Sequence, residues 1–409
     1  MKRTVALIVT LDTKFQEAEY LKKQIIDKGL KPVLFDIGVV GQTGIEAEFT
    51  REAVAEAGGK SLGEILIKPT REEAAPIMVN GVIKLLLKEL SRNAIHAVLG
   101  LGGTQGTSSC CQIMQALPYG LPKIMVSTIA SGDTSGFVGI KDITMMFSVS
   151  DILKLNPFTR KILANAAAAA CGMAEDQTRF IVEKGEKPLI GMSNLGVLTN
   201  GAMHAIQYFE SKGYEVIVFH AVGSGGRAME QMMKEGIIGA VFDYAMGEIA
   251  DDVWSVLRAG GPERLTVAGQ LGLPQVLCPG GAEHLGILVP PNEVPDDWKD
   301  YEYVFHSPVV FVPRLEEDEM IKVAESICDR LRYTEGNAYF LFPRGGVGRY
   351  SRNGGALENK HADSVFFDYI KDNLTENIQI IDCEEYIEDP VFVERAADLL
   401  LDLIEQEVS

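Results

Sequence analysis

A glycine-rich run in the first half of the chain has the composition of a phosphate-binding turn. Residues 100 to 108 read Gly-Leu-Gly-Gly-Thr-Gln-Gly-Thr-Ser, and they follow an apolar run at residues 94 to 99. A strand that feeds such a turn and then a helix presents free N–H groups and the positive end of a helix dipole, which attract phosphate. The spacing from Gly102 to Gly106 is one residue longer than in the usual dinucleotide fingerprint. The run predicts a phosphate-bearing ligand, with a purely structural strand-to-helix turn as the alternative.

Two further polar segments of the first half follow predicted strands. Asp12 and Thr13 come after the first apolar run, where they either face a ligand or simply cap the first helix. The segment from 127 to 136 follows another strand, and ligands of open α/β sheets bind at the carboxyl ends of strands. The predicted cofactor contacts of this half are Asp12, Thr13, Gly102, Gly103, Thr104, Gly106, Thr107, Thr128, Ser131, Gly132 and Asp133.

The second half contains a comparable glycine-rich loop, from His220 to Glu230. Arginine can bind phosphate or carboxylate through two parallel hydrogen bonds, and histidine transfers protons near neutral pH. The alternative is a core histidine beside a tight turn. The predicted cofactor contacts here are Gly223, Gly225, Gly226 and Arg227.

Acidic residues and histidines at successive predicted strand ends are candidates for acid–base catalysis. Such groups converge at one edge of a parallel sheet, although a single acidic residue at a strand end is often only a helix cap. The candidate catalytic residues are His220, Asp243, Glu248, Glu283 and His284. The histidine spacing does not match a zinc site, and neither a P-loop signature nor a nucleophile elbow is present. The identity of any metal is left open by these residues.

Composition excludes several classes of protein. The 409 residues carry a formal net charge of −19 and no basic block, so the chain would repel a nucleic-acid backbone. No apolar run approaches the roughly 20 residues that cross a bilayer. Six cysteines without a C-x-x-C pair are typical of reduced thiols in a cytoplasm. We therefore expect a cytoplasmic protein whose partner is a small phosphate compound rather than nucleic acid or membrane.

Short apolar runs alternate with helical periodicity, which predicts βαβ units and parallel sheets. A charged stretch, residues 183 to 188, separates two halves with the same alternation. The predicted fold class is α/β, with an N-terminal Rossmann-like nucleotide-binding domain at residues 1–185, a C-terminal Rossmann-like domain at residues 186–409 and a cleft between them. The predicted strands are residues 5–9, 32–37, 94–99, 122–128, 143–148, 189–193, 216–220, 239–243, 274–278, 309–312, 338–342 and 378–382, and the main predicted helices are residues 15–27, 72–90, 200–212 and 390–406.

Several segments together resemble one family over nearly the whole chain. The segments are residues 10–14, 102–107, 148–152, 156–160, 196–197 and 223–230. They resemble the ATP-binding-domain family typified by the tomato mosaic virus resistance protein. The chain departs from this family's pattern at Glu283 and Gly286, where Asp and Asn are expected, so the polar atoms offered to a substrate differ.

The resemblance implies two Rossmann-like subdomains, ATP or a related nucleotide as ligand, Mg²⁺ as its companion ion, and a homodimer. We therefore expect a nucleotide-binding protein whose ligand lies at glycine-rich loops near the interdomain cleft. Whether it is an enzyme acting on a phosphorylated or acidic small molecule, or a non-catalytic nucleotide-dependent binding or regulatory module, stays open at this level, because such folds host many chemistries.

Overall fold

The computed structural model describes residues 2–67, 70–176 and 187–408. The chain divides into two compact units, Met1–Phe180 (unit 1) and Ile181–Ser409 (unit 2). The predicted boundary at residues 185 and 186 lies outside the described residues. Among the described residues, no helix combines the length and the apolar character that crossing a bilayer would require.

Unit 1 is built around one parallel sheet of five strands in the order β2-β1-β3-β4-β5. Its elements in chain order are β1 (Thr4–Val9), α1 (Leu11–Asp27), β2 (Lys31–Asp36), α2 (Arg51–Gly58), α3 (Leu62–Ile67), α4 (Arg71–Ser91), β3 (Ala97–Gly102), α5 (Thr104–Gln115), β4 (Lys123–Ser127), α6 (Ser135–Val138), β5 (Ile143–Phe147) and α7 (Pro157–Glu175).

Unit 2 has a parallel sheet of six strands in the order β7-β6-β8-β9-β13-β14, and a small antiparallel sheet in the order β10-β12-β11. Its elements are β6 (Ile190–Asn194), α8 (Thr199–Ser211), β7 (Val216–His220), α9 (Ser224–Lys234), β8 (Ala240–Ala245), α10 (Gly247–Val253), α11 (Val267–Gln270), β9 (Gln275–Gly280), β10 (Ile287–Leu288), β11 (Tyr303–Ser307), β12 (Val310–Pro313), α12 (Glu317–Leu331), β13 (Ala338–Pro343), α13 (Lys360–Asn373), β14 (Ile378–Cys383) and α14 (Pro390–Val408).

Helices on both faces of each sheet explain why the strands read as continuous apolar runs. All six residues of β1 are buried. Ala6 and Ile8 belong to the core on one face, whereas Val5, Leu7 and Val9 belong to the core on the other. Parallel strands covered on both sides need apolar side chains at every position. The predicted α/β fold class with two mostly parallel, Rossmann-like sheets is confirmed.

Two details differ from the sequence expectation. The predicted strand at 309–312 forms β12 of the small antiparallel sheet and not a strand of the parallel sheet, because it pairs with β10 and β11. Helix α1 starts at Leu11, earlier than predicted, but Lys14 has non-helical dihedral angles (φ −129°, ψ 23°). The segment from Leu11 to Lys14 is therefore a separate turn before the regular helix.

Both parallel sheets have a topological switch point. In unit 1 the chain passes from β1 outward to β2 and then returns across β1 to β3. In unit 2 it passes from β6 to β7 and then returns across β6 to β8. At such a point the loops leave neighbouring strands in opposite directions, and a crevice opens at their carboxyl ends. Ligands of open α/β sheets usually bind at such a position.

The turn between β3 and α5 depends on two glycines in close contact. A Cβ atom on Gly102 would lie only 2.7 Å from the Cα of Gly106, whereas a Cβ on Gly103 would meet nothing nearer than the Thr128 hydroxyl oxygen at 3.8 Å. The backbone of α5 thus approaches the end of β3 as closely as it can. The neighbouring Gly103 is under no such restriction.

We expect Gly102→Ala to destabilise the protein by about 2 kcal/mol, because the added methyl group must push α5 away from β3. Gly103→Ala is the matched control, and it should change the free energy of unfolding by less than about 1 kcal/mol. Urea denaturation of both variants measures the difference. Equal effects would contradict the close-packing argument.

Candidate functional site

A cavity of about 460 Å³ lies at the switch point of unit 1. Its walls come from three loops at the carboxyl ends of β1, β2 and β3, namely residues 10–14, 37–40 and 102–106, together with one side of α4. Its size falls within the range of small-molecule sites. The cavity brings together six of the predicted contacts: Asp12, Thr13, Gly102, Gly103, Thr104 and Gly106.

The amino terminus of α5 opens this cavity to an anion. No side chain caps the helix, and its first intrahelical bond is donated by Thr107 N–H to the Gly103 carbonyl oxygen at 2.8 Å. The N–H groups of Thr104, Gln105 and Gly106 precede that bond, and these residues line the cavity. Uncapped N–H groups at the positive end of a helix dipole are the usual protein ligands of phosphate.

The opposite wall of the cavity is apolar. Helix α4 contributes Ala74, Ala75, Met78 and Val79, and the loop after β2 contributes Val39. Flat, uncharged groups bind well against such surfaces, because their burial removes apolar area from water. The cavity thus has an anion-binding end and an apolar end.

Asp36, at the end of β2, holds two of the cavity loops together. Its Oδ1 atom accepts hydrogen bonds from the N–H groups of Leu11 (3.1 Å) and Gly38 (2.8 Å). Burial raises the pKa of Asp36 above its usual value, although these two bonds oppose the effect. Asp36 is absent from the predicted site because it reads as the last residue of a strand. The glycine two residues later was the available signal.

Asp12 supplies a carboxylate oxygen without a partner. Its Oδ1 atom is buried, and it has no hydrogen-bond partner among the described residues. A buried, unpartnered carboxylate oxygen is costly unless a cation or a donor meets it. Asp12 is therefore the residue of the cavity best suited to hold a hard cation such as Mg²⁺.

The other predicted contacts of unit 1 do not line the cavity. Thr107 is fully buried, and its hydroxyl group lies 2.7 Å from that of Ser127, so it joins α5 to the end of β4. Thr128 N–H donates to the Gly102 carbonyl oxygen at 3.3 Å. Ser131, Gly132 and Asp133 are exposed in the loop after β4. Their roles as cofactor contacts stay predictions.

In unit 2 the corresponding glycine-rich loop is closed by an internal carboxylate. Glu248 Oε1 accepts hydrogen bonds from the N–H groups of Gly223 (2.6 Å) and Gly226 (3.0 Å). A Cβ atom on Gly226 would lie 2.0 Å from Glu248 Oε2. The carboxylate therefore occupies the place that a phosphate would take, and the predicted binding at this loop, including Gly225, would require Glu248 to withdraw.

The guanidinium group of Arg264 fixes Glu248 and fills the switch point of unit 2. Arg264 is fully buried and donates to Glu248 Oε2 at 2.7 Å, and to both carboxylate oxygens of Asp243 at 2.5 and 2.7 Å. Ser193, on β6, donates to Asp243 Oδ1 at 2.6 Å. Two predicted catalytic residues, Asp243 and Glu248, are thus brought together, with their oxygens already bonded.

Glu230 completes this cluster from α9. Its two oxygens accept from the N–H groups of Leu265 (2.5 Å) and Val267 (3.1 Å). Leu265 has a left-handed backbone, with φ 71°, which is unusual for a residue with a side chain. Burial raises the pKa of Glu230 to about 7, against the attraction of Arg264. Three carboxylates therefore share one buried guanidinium group.

Glu283 and His284 lie in a second buried network after β9. Burial would raise the pKa of Glu283, but His284 and Arg314 outweigh it and lower the pKa to about 2. Arg258 Nη1 lies 3.3 Å from His284 Nε2, so Arg258 belongs to the same buried network. Glu283 Oε2 and His284 Nδ1 have no hydrogen-bond partner among the described residues, although Nδ1 lies 3.1 Å from Glu283 Oε1.

This network also explains the glycine at position 286. Its N–H group donates to Asp251 Oδ1 at 3.0 Å, and a Cβ there would lie 2.9 Å from Arg258 Nε. Arg258 pairs with Asp251 through two bonds of 2.9 and 2.7 Å. A larger residue at 286 would displace this pair.

His220 and Arg227 are exposed at the carboxyl end of β7 and on α9. His220 Nδ1 lies 3.3 Å from the Asn194 carbonyl oxygen, and Arg227 Nε donates to the Gly223 carbonyl oxygen at 3.2 Å. His220 is therefore not part of either buried network. Sequence reasoning missed Arg258 and Arg264, because both lie in a loop without a motif and only the three-dimensional fold reveals their partners.

We expect Arg264→Met to destabilise the protein by about 3 to 5 kcal/mol at pH 7, because the variant leaves buried carboxylates without a counter-charge. Without Arg264 the pKa of Glu230, which burial already raises to about 7, would rise further. The loss should therefore shrink as the pH falls to about 5 and Glu230 takes up a proton. Urea denaturation at both pH values measures it.

Arg332→Met is the control, since Arg332 forms an exposed ion pair with Asp329. Exposed pairs contribute at most about 1 kcal/mol. If the two substitutions had equal effects, or if lowering the pH did not restore the stability of the Arg264 variant, the central role of this cluster would be refuted.

Proteins of similar sequence extend over the whole chain. A UPF0261 protein of Clostridium tetani is 35% identical over 99% of this chain and 100% of its own length. A UPF0261 protein of Mesorhizobium japonicum is 33% identical over 98% of this chain and 99% of its own. The ToMV susceptible protein tm-1(GCR26) of Solanum lycopersicum is 29% identical over 84% of this chain, which spans only 48% of that longer protein.

Solved structures are similar only in outline. A MurG structure from Acinetobacter baumannii covers 98% of this chain and 99% of its own at 10% identity, with a TM-score of 0.21. A score this low supports no inference about the reaction. Models of the uncharacterised protein family UPF0261 match residues 3–179 with the N-terminal domain and residues 187–404 with the C-terminal domain. The chain therefore belongs to the UPF0261 family.

Proposed function

We propose that this protein binds ATP or a related nucleotide in the cavity of unit 1. The phosphates would lie at the amino terminus of α5, and the base would lie against Ala75 and Met78 of α4. Similarity to the tomato protein is consistent with this proposal but does not carry it, because the name of that protein refers to susceptibility to a virus and not to a nucleotide.

The observation that carries the proposal is the difference between the two glycine-rich loops. The N–H groups at the start of α5 precede the first intrahelical bond and face a cavity. Those of Gly223 and Gly226 are bonded to Glu248. Because a phosphate needs free donors, the loop of unit 1 is favoured and the loop of unit 2 is not.

Mg²⁺ fits the same cavity through Asp12. The unpartnered Oδ1 atom of Asp12 is a hard oxygen ligand, and Mg²⁺ is commonly held by one or two carboxylates together with substrate phosphates. The ion would neutralise phosphate charge beside the carboxylate. A nucleotide should accordingly bind more tightly with Mg²⁺ than without it.

A binding role is better supported than a catalytic one. Asp243 and Glu248 are bonded to Arg264, and Glu283, with a pKa of about 2, is a weak base. Glu283 Oε2, which is buried and has no hydrogen-bond partner among the described residues, favours the alternative of an enzyme acting on a phosphorylated or acidic small molecule. We infer a nucleotide-dependent binding or regulatory module. The homodimer, the cytoplasmic location and the position of the ligand between the two halves stay predictions.

Calorimetric titration of the full chain with ATP and Mg²⁺ tests the proposal. We expect saturable binding that Ala75→Phe abolishes, because the phenyl group would fill the apolar end of the cavity. Ala168→Phe, at an exposed position of α7, is the matched control and should bind normally. Arg227→Ala should also bind normally. The absence of binding to the wild type, or its loss in the Arg227 variant, would contradict the proposed site.

Phosphate release from ATP and Mg²⁺ distinguishes the module from an enzyme. We expect the wild type to release no more phosphate than buffer does, because the candidate acids and bases of unit 2 are paired or weakly basic. Turnover that Glu283→Gln removes, with the melting temperature unchanged, would instead establish catalysis at Glu283 and His284.

A further inference from the structure

Lys14 is a basic residue in the wall of the unit 1 cavity. It lines the wall, and the structure gives its ammonium group no hydrogen bond or ion pair with any other described residue. Its backbone is non-helical, and its N–H donates to the Thr10 carbonyl oxygen at 2.9 Å. The side chain therefore belongs to the separate turn that begins α1, where Leu11 N–H is tied to Asp36 at 3.1 Å.

The charges around the cavity do not satisfy this cation. Asp12 is its acidic neighbour in sequence, yet the buried Oδ1 atom of Asp12 accepts no hydrogen bond from any residue that the structure describes. The Oδ1 atom of Asp36 already accepts hydrogen bonds from two backbone N–H groups. A lysine and a carboxylate that line one cavity without pairing are both available to a ligand that carries charges of its own.

The donors of the cavity exceed what one phosphate needs. The three N–H groups at the start of α5, with the helix dipole, suffice for a single phosphate group. Lys14 adds a full positive charge from a different loop, at the end of the neighbouring strand β1. A second or third phosphate group would lengthen the ligand's anionic tail, so that the tail could reach from the start of α5 to Lys14.

We propose that Lys14 is the specificity residue for the charged tail, and that the cavity selects nucleoside diphosphates and triphosphates over monophosphates and nucleosides. This inference rests on the proposed function, because it places the tail of the same ligand. Lys14 binds the phosphate beyond the one held by α5. It is a binding and positioning residue, and no bond is made or broken there.

Titration of adenosine, AMP, ADP and ATP, each with Mg²⁺, into the wild type and Lys14→Met tests the inference. We expect the affinity for ADP and ATP to fall roughly 10- to 100-fold, as for loss of a charge-assisted hydrogen bond, while the affinities for AMP and adenosine change less than about twofold. Lys14→Arg should retain most of the preference. Lys23→Met, on the exposed side of α1, is the control.

Inorganic tripolyphosphate separates failure of this inference from failure of the proposed function. If the wild type binds tripolyphosphate through Lys14 but binds no nucleotide, Lys14 keeps its role and the nucleotide proposal fails. If nucleotides bind but Lys14→Met weakens all four equally or none, the nucleotide proposal stands and the role of Lys14 is wrong. If neither nucleotide nor tripolyphosphate binds, both fail.

Discussion

The bond between Arg264 and Glu248 determines what unit 2 can do. Arg264 holds the carboxylate of Glu248 at 2.7 Å, and that carboxylate accepts the N–H groups of Gly223 and Gly226. The same guanidinium group binds Asp243 on β8, so the glycine-rich loop, α10 and the central strand form one buried unit. Removing either partner would leave a buried charge without its counter-charge, which strongly destabilises a folded protein.

The switch point of unit 1 is arranged differently from that of unit 2. Its switch point is bridged by Asp36, which binds backbone N–H groups of the loops after β1 and β2 and leaves the start of α5 unfilled. A carboxylate that binds the loops after β1 and β2 leaves the helix terminus open, whereas one that reaches the helix terminus closes it. Two sheets whose first strands follow the same order thus differ in whether a carboxylate occupies the helix terminus at the switch point.

The sequence predicted the fold well and the site in part. Strand positions such as 5–9 follow from apolar runs that a parallel sheet covered on both faces needs, and the six contacts in the cavity follow from their place at strand ends. Lys14 was not predicted because a break in a helix has no composition signal, and Asp36 was not predicted because only the glycine two residues later pointed to its role. Arg264 escaped because its partners, on β8, α9 and α10, are distant in sequence. The glycine-rich loop of unit 2 has the sequence pattern of an anion site. Such a pattern predicts the conformation of the backbone, but it does not show that the N–H groups of the loop are already bonded to Glu248.

Glu248 behaves towards its loop as a competitive inhibitor that is part of the same molecule. An intramolecular ligand acts at an effective concentration that already reaches the millimolar range for short flexible tethers, and a rigid scaffold raises it further. Free phosphate in a cell would have to displace this carboxylate from the N–H groups of the loop, and the displacement would also remove one partner of Arg264. Saturating the protein with ligand would therefore fill one glycine-rich loop per chain, so a chain with two such motifs would titrate with a stoichiometry of one.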